Sequence, residues 1–216
     1  MADWFTEHDV VQGEPEWFAL RRGKITGSRA NKLFARTTRG WAASRDHMVS
    51  LIAMERLRGD KAPSGSGKPM ERGHEYENAA AEAYEFQTMQ ETRVVGFMTV
   101  NDFPNEAVSP DRLVGGNGAL EIKVPTALEK HVDYLRNNSH VKEYEGQLRH
   151  TLYVTGREWI DIASYYPEAP ANLQLAVKRL TRADLCLADY PDMLKEAWLE
   201  IEARQAELAT IQSKAA

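Results

Sequence analysis

The four residues Gly115-Gly116-Asn117-Gly118 constrain this chain more than any others. Glycine and asparagine tolerate the positive backbone angles of a tight reversal. Here they stand between two apolar runs of strand character, Ala107 to Val114 and Ala119 to Val124. A β-hairpin is expected, and Pro125, which lacks an N–H for the ladder, stops its second strand. Further strands are expected at Arg93 to Asn101 and Glu158 to Tyr166. Another is expected near Leu173 to Lys178, where Leu173, Leu175 and Val177 alternate with Gln174, Ala176 and Lys178.

Around these strands the apolar period becomes helical. Pro15 suits the first turn of a short helix over Glu14 to Arg22. Thr26-Gly27-Ser28 offers N-cap groups to a helix carrying Ala30, Leu33 and Phe34. A helix from Ala42 to Arg58 places Met48, Leu51, Ile52, Met54 and Leu57 on one face, and one from Met70 to Met89 is expected to bury Tyr76, Ala80, Ala83, Tyr84 and Phe86. Val141 to Val154 and an acidic amphipathic stretch, Tyr190 to Ser213, complete the helices, with Thr37 to Gly40 and the Gly/Ser/Pro-rich Lys61 to Pro69 as loops. This order of elements is α/β, a small mixed sheet flanked by helices.

Composition narrows the class. With 216 residues, 43% hydrophobic and 27% charged, the chain is expected to be one soluble globular domain rather than a disordered one. A single cysteine, Cys186, excludes an intramolecular disulfide framework and a multi-cysteine zinc site. No run approaches the roughly 18 apolar residues of a membrane span. The segment Met1 to Trp17 is acidic where a signal peptide would be basic, so a cytoplasmic location is expected. The net charge of -5 argues against a polyanionic partner only until it is sorted by position. Arg21 to Arg72 holds thirteen basic and four acidic residues, a net +9, and the remainder is -14. Such asymmetry suits a segment facing a polyanion, and equally a solvated helical face.

The chemistry concentrates around the hairpin. Residues two apart on a strand share a face, so Glu121 and Lys123 project together while Ile122 points into the core. The turn folds this strand back on the one near Ser109-Pro110-Asp111, bringing the Asp111 and Glu121 carboxylates within reach of one cation. Two carboxylates with a nearby backbone carbonyl are what a hard Mg²⁺ prefers. A lysine beside them can orient an attacking water or stabilise its hydroxide while the ion polarises a phosphate. The same residues also fit a simple cross-strand ion pair.

The pattern Ser-Pro-Asp, glycine-rich turn, Glu-Ile-Lys resembles the PD-(D/E)xK nuclease motif, and more specifically the lambda-type phage exonucleases, the YqaJ viral recombinase family. Three ordered blocks carry the likeness: Trp17 to Ser28, Arg72 to Asn78, and Ala107 to Pro125. Tyr144-Glu145-Gly146-Gln147 is a weaker fourth, and the likeness spans about Glu16 to Thr155.

The resemblance implies a restriction-endonuclease-like α/β core, a central mixed β-sheet flanked by helices, in a single nuclease domain over 1–216. Within it, 14–90 would be a basic helical segment, 91–180 the catalytic sheet core, and 190–213 the acidic C-terminal helix. Asp111, Glu121, the main-chain carbonyl of Ile122 and Glu77 would hold Mg²⁺, with Mn²⁺ as a substitute, and Lys123 would position the water. Arg21, Ser28, Ser109 and Gln147 would hold the 5′-terminal phosphate of DNA, an arginine fork with hydroxyl and amide donors suiting that dianion. Trp17 is expected as a core anchor, and Arg149 and His150 are assigned no role.

The activity implied is a 5′→3′ exonuclease on linear double-stranded DNA with a 5′-phosphate end. It would leave 3′ single-stranded tails for recombination beside a single-strand-annealing protein. The enzyme would be a homotrimer, phage or prophage encoded, in the bacterial cytoplasm. A restriction- or resolvase-type endonuclease and a catalytically silent DNA-end-binding protein are the alternatives.

Overall fold

The structure, a computed structural model, describes residues 4–59 and 68–214. A first strand β1 (Phe5–His8) leads into helices α1 (Pro15–Arg21) and α2 (Gly27–Leu33). A hairpin, β2 (Arg36–Thr37) and β3 (Gly40–Trp41), precedes two long helices, α3 (Ala43–Arg58) and α4 (Lys68–Thr88). Five short strands follow: β4 (Thr92–Arg93), β5 (Phe97–Val100), β6 (Ala107–Val108), β7 (Arg112–Val114) and β8 (Gly118–Lys123). Then come α5 (Leu128–Asn137), α6 (Ser139–Glu143), α7 (Glu145–Thr155), β9 (Trp159–Tyr165), β10 (Leu175–Thr181) and α8 (Tyr190–Lys214).

The expected mixed sheet flanked by helices is present, in the order β10-β9-β8-β7-β4. Strands β8 and β9 run parallel and the other neighbours antiparallel. The parallel pair requires a long crossover, which α5, α6 and α7 supply. The hairpin at Gly115 to Gly118 forms as expected, pairing Arg112 with Leu120 and Val114 with Gly118. Glycine is needed at 118, because a Cβ there would overlap the ring of Trp159. Arg157 holds the turn from outside, donating to the carbonyls of Gly115 and Gly118 at 2.9 Å each.

A second sheet, β1-β5-β6, was not expected. It arises because two anticipated strands break. The run 93–101 divides at Gly96, where a side chain would collide with the backbone of Val10. The run 107–114 divides at Ser109-Pro110-Asp111, where Pro110 cannot donate to a ladder. Each broken run thus has one piece in each sheet, and Asp111 stands where the chain crosses between them. Strand β1, the β2–β3 hairpin, α5 and α6 were also unanticipated, and β10 begins at Leu175 after a 3₁₀ turn at Ala171–Leu173. The loop expected at 61–69 falls largely on residues outside the described ones, and α4 already begins at Lys68.

Two helical faces are rotated from expectation. On α3 the buried positions are Arg45, Met48, Val49, Ile52 and Ala53, whereas Leu51 and Met54 are exposed. The inward stripe shifts because Arg45 belongs to it, donating to the Leu33 carbonyl and to both oxygens of Glu200 on α8. On α4, Ala80 and Tyr84 are buried as expected, but Phe86 is 85% exposed. Helices α3 and α8 pack along one another, and Arg204 of α8 reaches Asp46 at 2.7 Å in the same seam. Arg45, part of the basic excess of the N-terminal segment, is thus neutralised by Glu200 of the acidic C-terminal helix, whereas Arg204 and Asp46 pair in the opposite sense. No helix among the described residues is long and apolar enough to cross a membrane.

Arg149 and His150, left without a role by the sequence, join α7 to its surroundings. Arg149 donates to the Cys186 carbonyl and to Asp189 at the start of the C-terminal region. Fully buried His150 contacts the carbonyls of Ile25 and Ala107 through Nε2 (3.1 and 3.0 Å) and the Tyr190 hydroxyl through Nδ1. Two carbonyl partners make Nε2 the protonated nitrogen of a neutral ring. Burial pushes this imidazole down to about 4, against the pull of those carbonyls. Next to Ala107, burial pushes the Glu106 carboxyl up to about 7, with bonds to Trp198 and Tyr153 opposing.

These two groups bias stability in opposite senses. His150 has a depressed value, so its contribution is present above about 6.5 and is lost as pH falls toward 4, by about 3 kcal/mol. Glu106 has a raised value, so its contribution is present in acid and is lost as pH rises through 7, by a similar ~3 kcal/mol. In urea unfolding across pH 4 to 8, H150Q should close its stability deficit against wild type on the acid side. E106Q should gain on wild type as pH rises through 7. Parallel pH profiles for all three proteins would refute the assignment.

Candidate active site

The candidate side chains come from six segments that meet at the sheet crossing: α1, α2, α4, the stretch between β6 and β7, β8 and α7. Asp111 immediately precedes β7, and its Oδ2 accepts from the Ile122 N–H of β8 at 2.6 Å, so hairpin pairing itself aims the carboxylate. Glu121 and Lys123 share a face of β8 as expected, with Lys123 Nζ donating to Glu121 Oε1 at 2.5 Å. Gln147, one turn into α7, bridges the pair: its Nε2 donates to the same Oε1, and its Oε1 accepts from Lys123 at 3.3 Å. Glu121 is buried, and its Oε2 has no hydrogen-bond partner among the described residues. The ring of Tyr144 lies 4.2 Å from the Lys123 ammonium.

The other wall comes from the N-terminal helices. Arg21 ends α1 and lies 4.0 Å above the Trp17 ring, donating to Ser28 Oγ at 3.2 Å. Trp17 is buried, as its reading as a core anchor requires, but it also has a polar task. Its Nε1 donates to Ser109 Oγ at 2.7 Å, and Ser109 in turn donates to the Gly96 carbonyl. Ser28 is the second residue of α2 and makes no cap; Thr26 holds the N-cap position without a side-chain bond. Gly27 brings α2 against α7, where an added Cβ would sit 3.2 Å from Gln147 Cγ.

These groups enclose one cavity of about 250 Å³. Arg21, Ser28, Glu77, Ser109, Asp111, Ile122, Lys123 and Gln147 all line it, and Glu121 lies just behind Lys123 and Gln147. Every residue singled out from the sequence is therefore at or against one space. Sequence reasoning missed Gln12, which also lines it, and Arg112, whose buried guanidinium pairs with Glu77. Neither carries a motif signal. Arg112 could have been suspected only as a charge placed inside an apolar strand.

Electrostatics follow from crowding these charges out of water. Burial raises the Asp111 carboxyl well above its ordinary range, and the charges of Glu121 and Glu77 raise it further, with Lys123 and the Ile122 N–H opposing. For Lys123, burial alone would lower the ammonium, but Glu121 and Asp111 outweigh it and the net shift is upward. Arg21 is pushed down to about 10 by burial and by Arg29, with Glu55 opposing, and so stays cationic at neutral pH.

The cavity fits a divalent cation in a limited way. The unpartnered Glu121 oxygen and the raised Asp111 carboxyl mark anionic capacity that the protein alone does not satisfy. Among the described residues no group of three or more His, Cys, Asp or Glu converges on one point. The donor set is then two carboxylates supplemented by backbone and solvent oxygen, which suits Mg²⁺ better than Zn²⁺.

Residues 16–158, about two thirds of the chain, match the YqaJ-like viral recombinase domain. The chain belongs to that family. The match takes in all the cavity-lining residues named from the sequence and ends before β9. This YqaJ-like chain is also similar to an alkaline exonuclease (LHK-Exo) from Laribacter hongkongensis, at 30% identity over 94% of this chain and 100% of that one, with a TM-score of 0.81. The crystal structure of LHK-Exo in complex with dAMP matches over the same extents with a TM-score of 0.82. A phage related exonuclease from Haemophilus somnus 129PT has the same fold at 14% identity, covering 88% of this chain and 96% of its own, with a TM-score of 0.69. No curated protein sequence matches the chain.

Because Glu121 and Asp111 hold the Lys123 ammonium up against burial, removing one charge should reverse the balance. In the metal-free protein, E121Q should bring the Lys123 ammonium down, as read from its ¹⁵N side-chain NMR titration. An unchanged Lys123 midpoint would refute the coupling.

Proposed function

We propose that this chain is a Mg²⁺-dependent 5′→3′ exonuclease that degrades one strand of linear double-stranded DNA from a 5′-phosphorylated end. Membership in the YqaJ-like family and the similarity to an alkaline exonuclease support a nuclease. The observation that carries the finer reading is the shape of one cavity. A carboxylate–lysine group, Asp111, Glu121 and Lys123, faces a cationic and hydroxyl wall, Arg21 and Ser28, across a single space.

Asp111, Glu121 and the Ile122 carbonyl would hold the ion, with Glu77 on the same cavity to complete the set. When bound, the ion would polarise the scissile phosphate and offset the charge that develops on it. The chain's own residues do the rest. Lys123, kept as an ammonium by its acidic neighbours, orients the attacking water by hydrogen bonding. Gln147 fixes Lys123 and Glu121 relative to one another, and a terminal phosphate would meet Arg21 and Ser28. The hydroxyl of Ser109 already donates to Gly96, so it would join the phosphate only by turning away from that carbonyl. Anchoring the end one step from the cutting site would favour 5′-phosphorylated substrates and leave a 3′ tail. In this reading the enzyme acts as a homotrimer and passes the tail to a single-strand-annealing protein for recombination.

Linear duplex labelled separately at each 5′ and 3′ end, incubated with and without Mg²⁺, tests polarity and metal need together. Loss of label from 5′ ends alone, only with Mg²⁺, is expected; cutting of covalently closed circles would point to an endonuclease instead. K123A should lose about 10²-fold or more of the hydrolysis rate while binding duplex as tightly as wild type. R21A should act mainly by reducing the advantage of a 5′-phosphate over a 5′-hydroxyl end. Equal loss on both ends would remove the phosphate role from Arg21.

A further inference from the structure

Arg112 is the one strongly placed charge at the site that the reaction described above does not use. It follows Asp111 directly and is buried, its side chain 6% exposed. Among the described residues its side-chain hydrogen bonds run to the site and the helix beside it. Its Nη1 donates to the Asp111 carbonyl at 2.6 Å and pairs with Glu77, and its Nη2 donates to Asn78 Oδ1 at 2.7 Å. One planar guanidinium thus links helix α4 to the start of the strand that carries the first metal-binding carboxylate. Glu77, though on the cavity, faces that guanidinium at contact distance.

We propose that Arg112 is a positioning residue of the metal site: it holds Glu77 as its counter-ion in the metal-free protein, and a divalent ion engages Glu77 only by displacing it. This rests on the reading of Asp111 and Glu121 as the primary carboxylates. The physical reason is competition for one charge. A buried guanidinium left without its carboxylate is costly, so Glu77 is given up to the ion only against that cost. Asp111 and Glu121 each keep an oxygen that no cationic side chain holds: among the described residues Asp111 accepts a backbone N–H, and Glu121, paired with Lys123 through Oε1, leaves Oε2 unpartnered. The site therefore binds metal in two unequal stages of commitment, two carboxylates first and the third against resistance. Its affinity is lower than three carboxylates would give.

Mn²⁺ titration by calorimetry, without DNA or turnover, tests this. R112Q keeps amide donors for Asn78 and the Asp111 carbonyl but removes the charge, and it should tighten Mn²⁺ binding by about tenfold. R112K should stay near wild type. The decisive comparison is the same substitution in an E77Q background, where the gain should shrink to about twofold or less. Equal tightening with and without Glu77 would mean a through-space charge effect and would overturn displacement, as would no tightening at all.

The wild-type protein offers an independent check that does not depend on a variant folding. The ¹⁵N–¹H resonances of the Arg112 guanidinium should shift on Mg²⁺ addition, with the midpoint that a separate calorimetric titration with Mg²⁺ gives. Resonances unmoved at saturating Mg²⁺ would overturn the proposal. Failure of the underlying metal reading looks different: wild type would take up no Mn²⁺, or D111N and E121Q would bind it as wild type does.

Discussion

The hydrogen bond from the Ile122 N–H to Asp111 Oδ2 is the contact on which the site depends. It ties the residue just before β7 to Ile122 near the end of β8, so the register of β7 and β8 and the aim of the Asp111 carboxylate are one event. Register in a two-residue period is unforgiving: a slip by one would exchange the face of the Glu121 and Lys123 side chains with that of the Ile122 side chain. The Gly115 to Gly118 turn, the Trp159 ring against Gly118 and the Arg157 bonds all act to hold that register. The far end of the hairpin therefore serves the site as directly as the residues lining it.

Burying several charges in one cavity succeeds because most are provided for. Lys123 sits between Glu121, Gln147 and the Tyr144 ring, Arg112 between Glu77, Asn78 and a carbonyl, and Arg21 between Trp17 and Ser28. The exception is informative. One oxygen of Glu121 is buried without a partner among the described residues, and burial with two neighbouring acids raises Asp111. An unpartnered carboxylate oxygen beside a raised carboxyl, in a network otherwise satisfied, is capacity that a cation could take up. The wider field is less simple than the sequence implied. Arg45 is bound to Glu200, so helix packing, and no polyanion, accounts for part of the charge asymmetry.

Legibility in the sequence followed the range of the interactions. The hairpin, the long helices and the terminal helix depend on turn chemistry and local period, and these could be read directly. Asp111, Glu121 and Lys123 could be read because a turn and a strand period alone bring them together. The second sheet could not. It exists because Gly96 admits the backbone of Val10 and because Pro110 interrupts a ladder, and a partner seventy or more residues away in sequence has no local signature. Leu51, Met54 and Phe86 were misplaced for the same reason: periodicity marks an apolar stripe, but the neighbour decides which edge of it is covered.

By itself the sequence determined the α/β class, the hairpin and the shared face of Glu121 and Lys123, because these follow from dihedral preferences and side-chain alternation within a few residues. Only the tertiary structure decided how they are used. It brought Arg21 and Ser28 from one end of the chain and Gln147 from another to the same cavity. It gave His150 and Arg149 structural tasks, and it set Arg112 against Glu77. Those outcomes depend on which charges share a low-dielectric space, and that is a property of packing between distant segments.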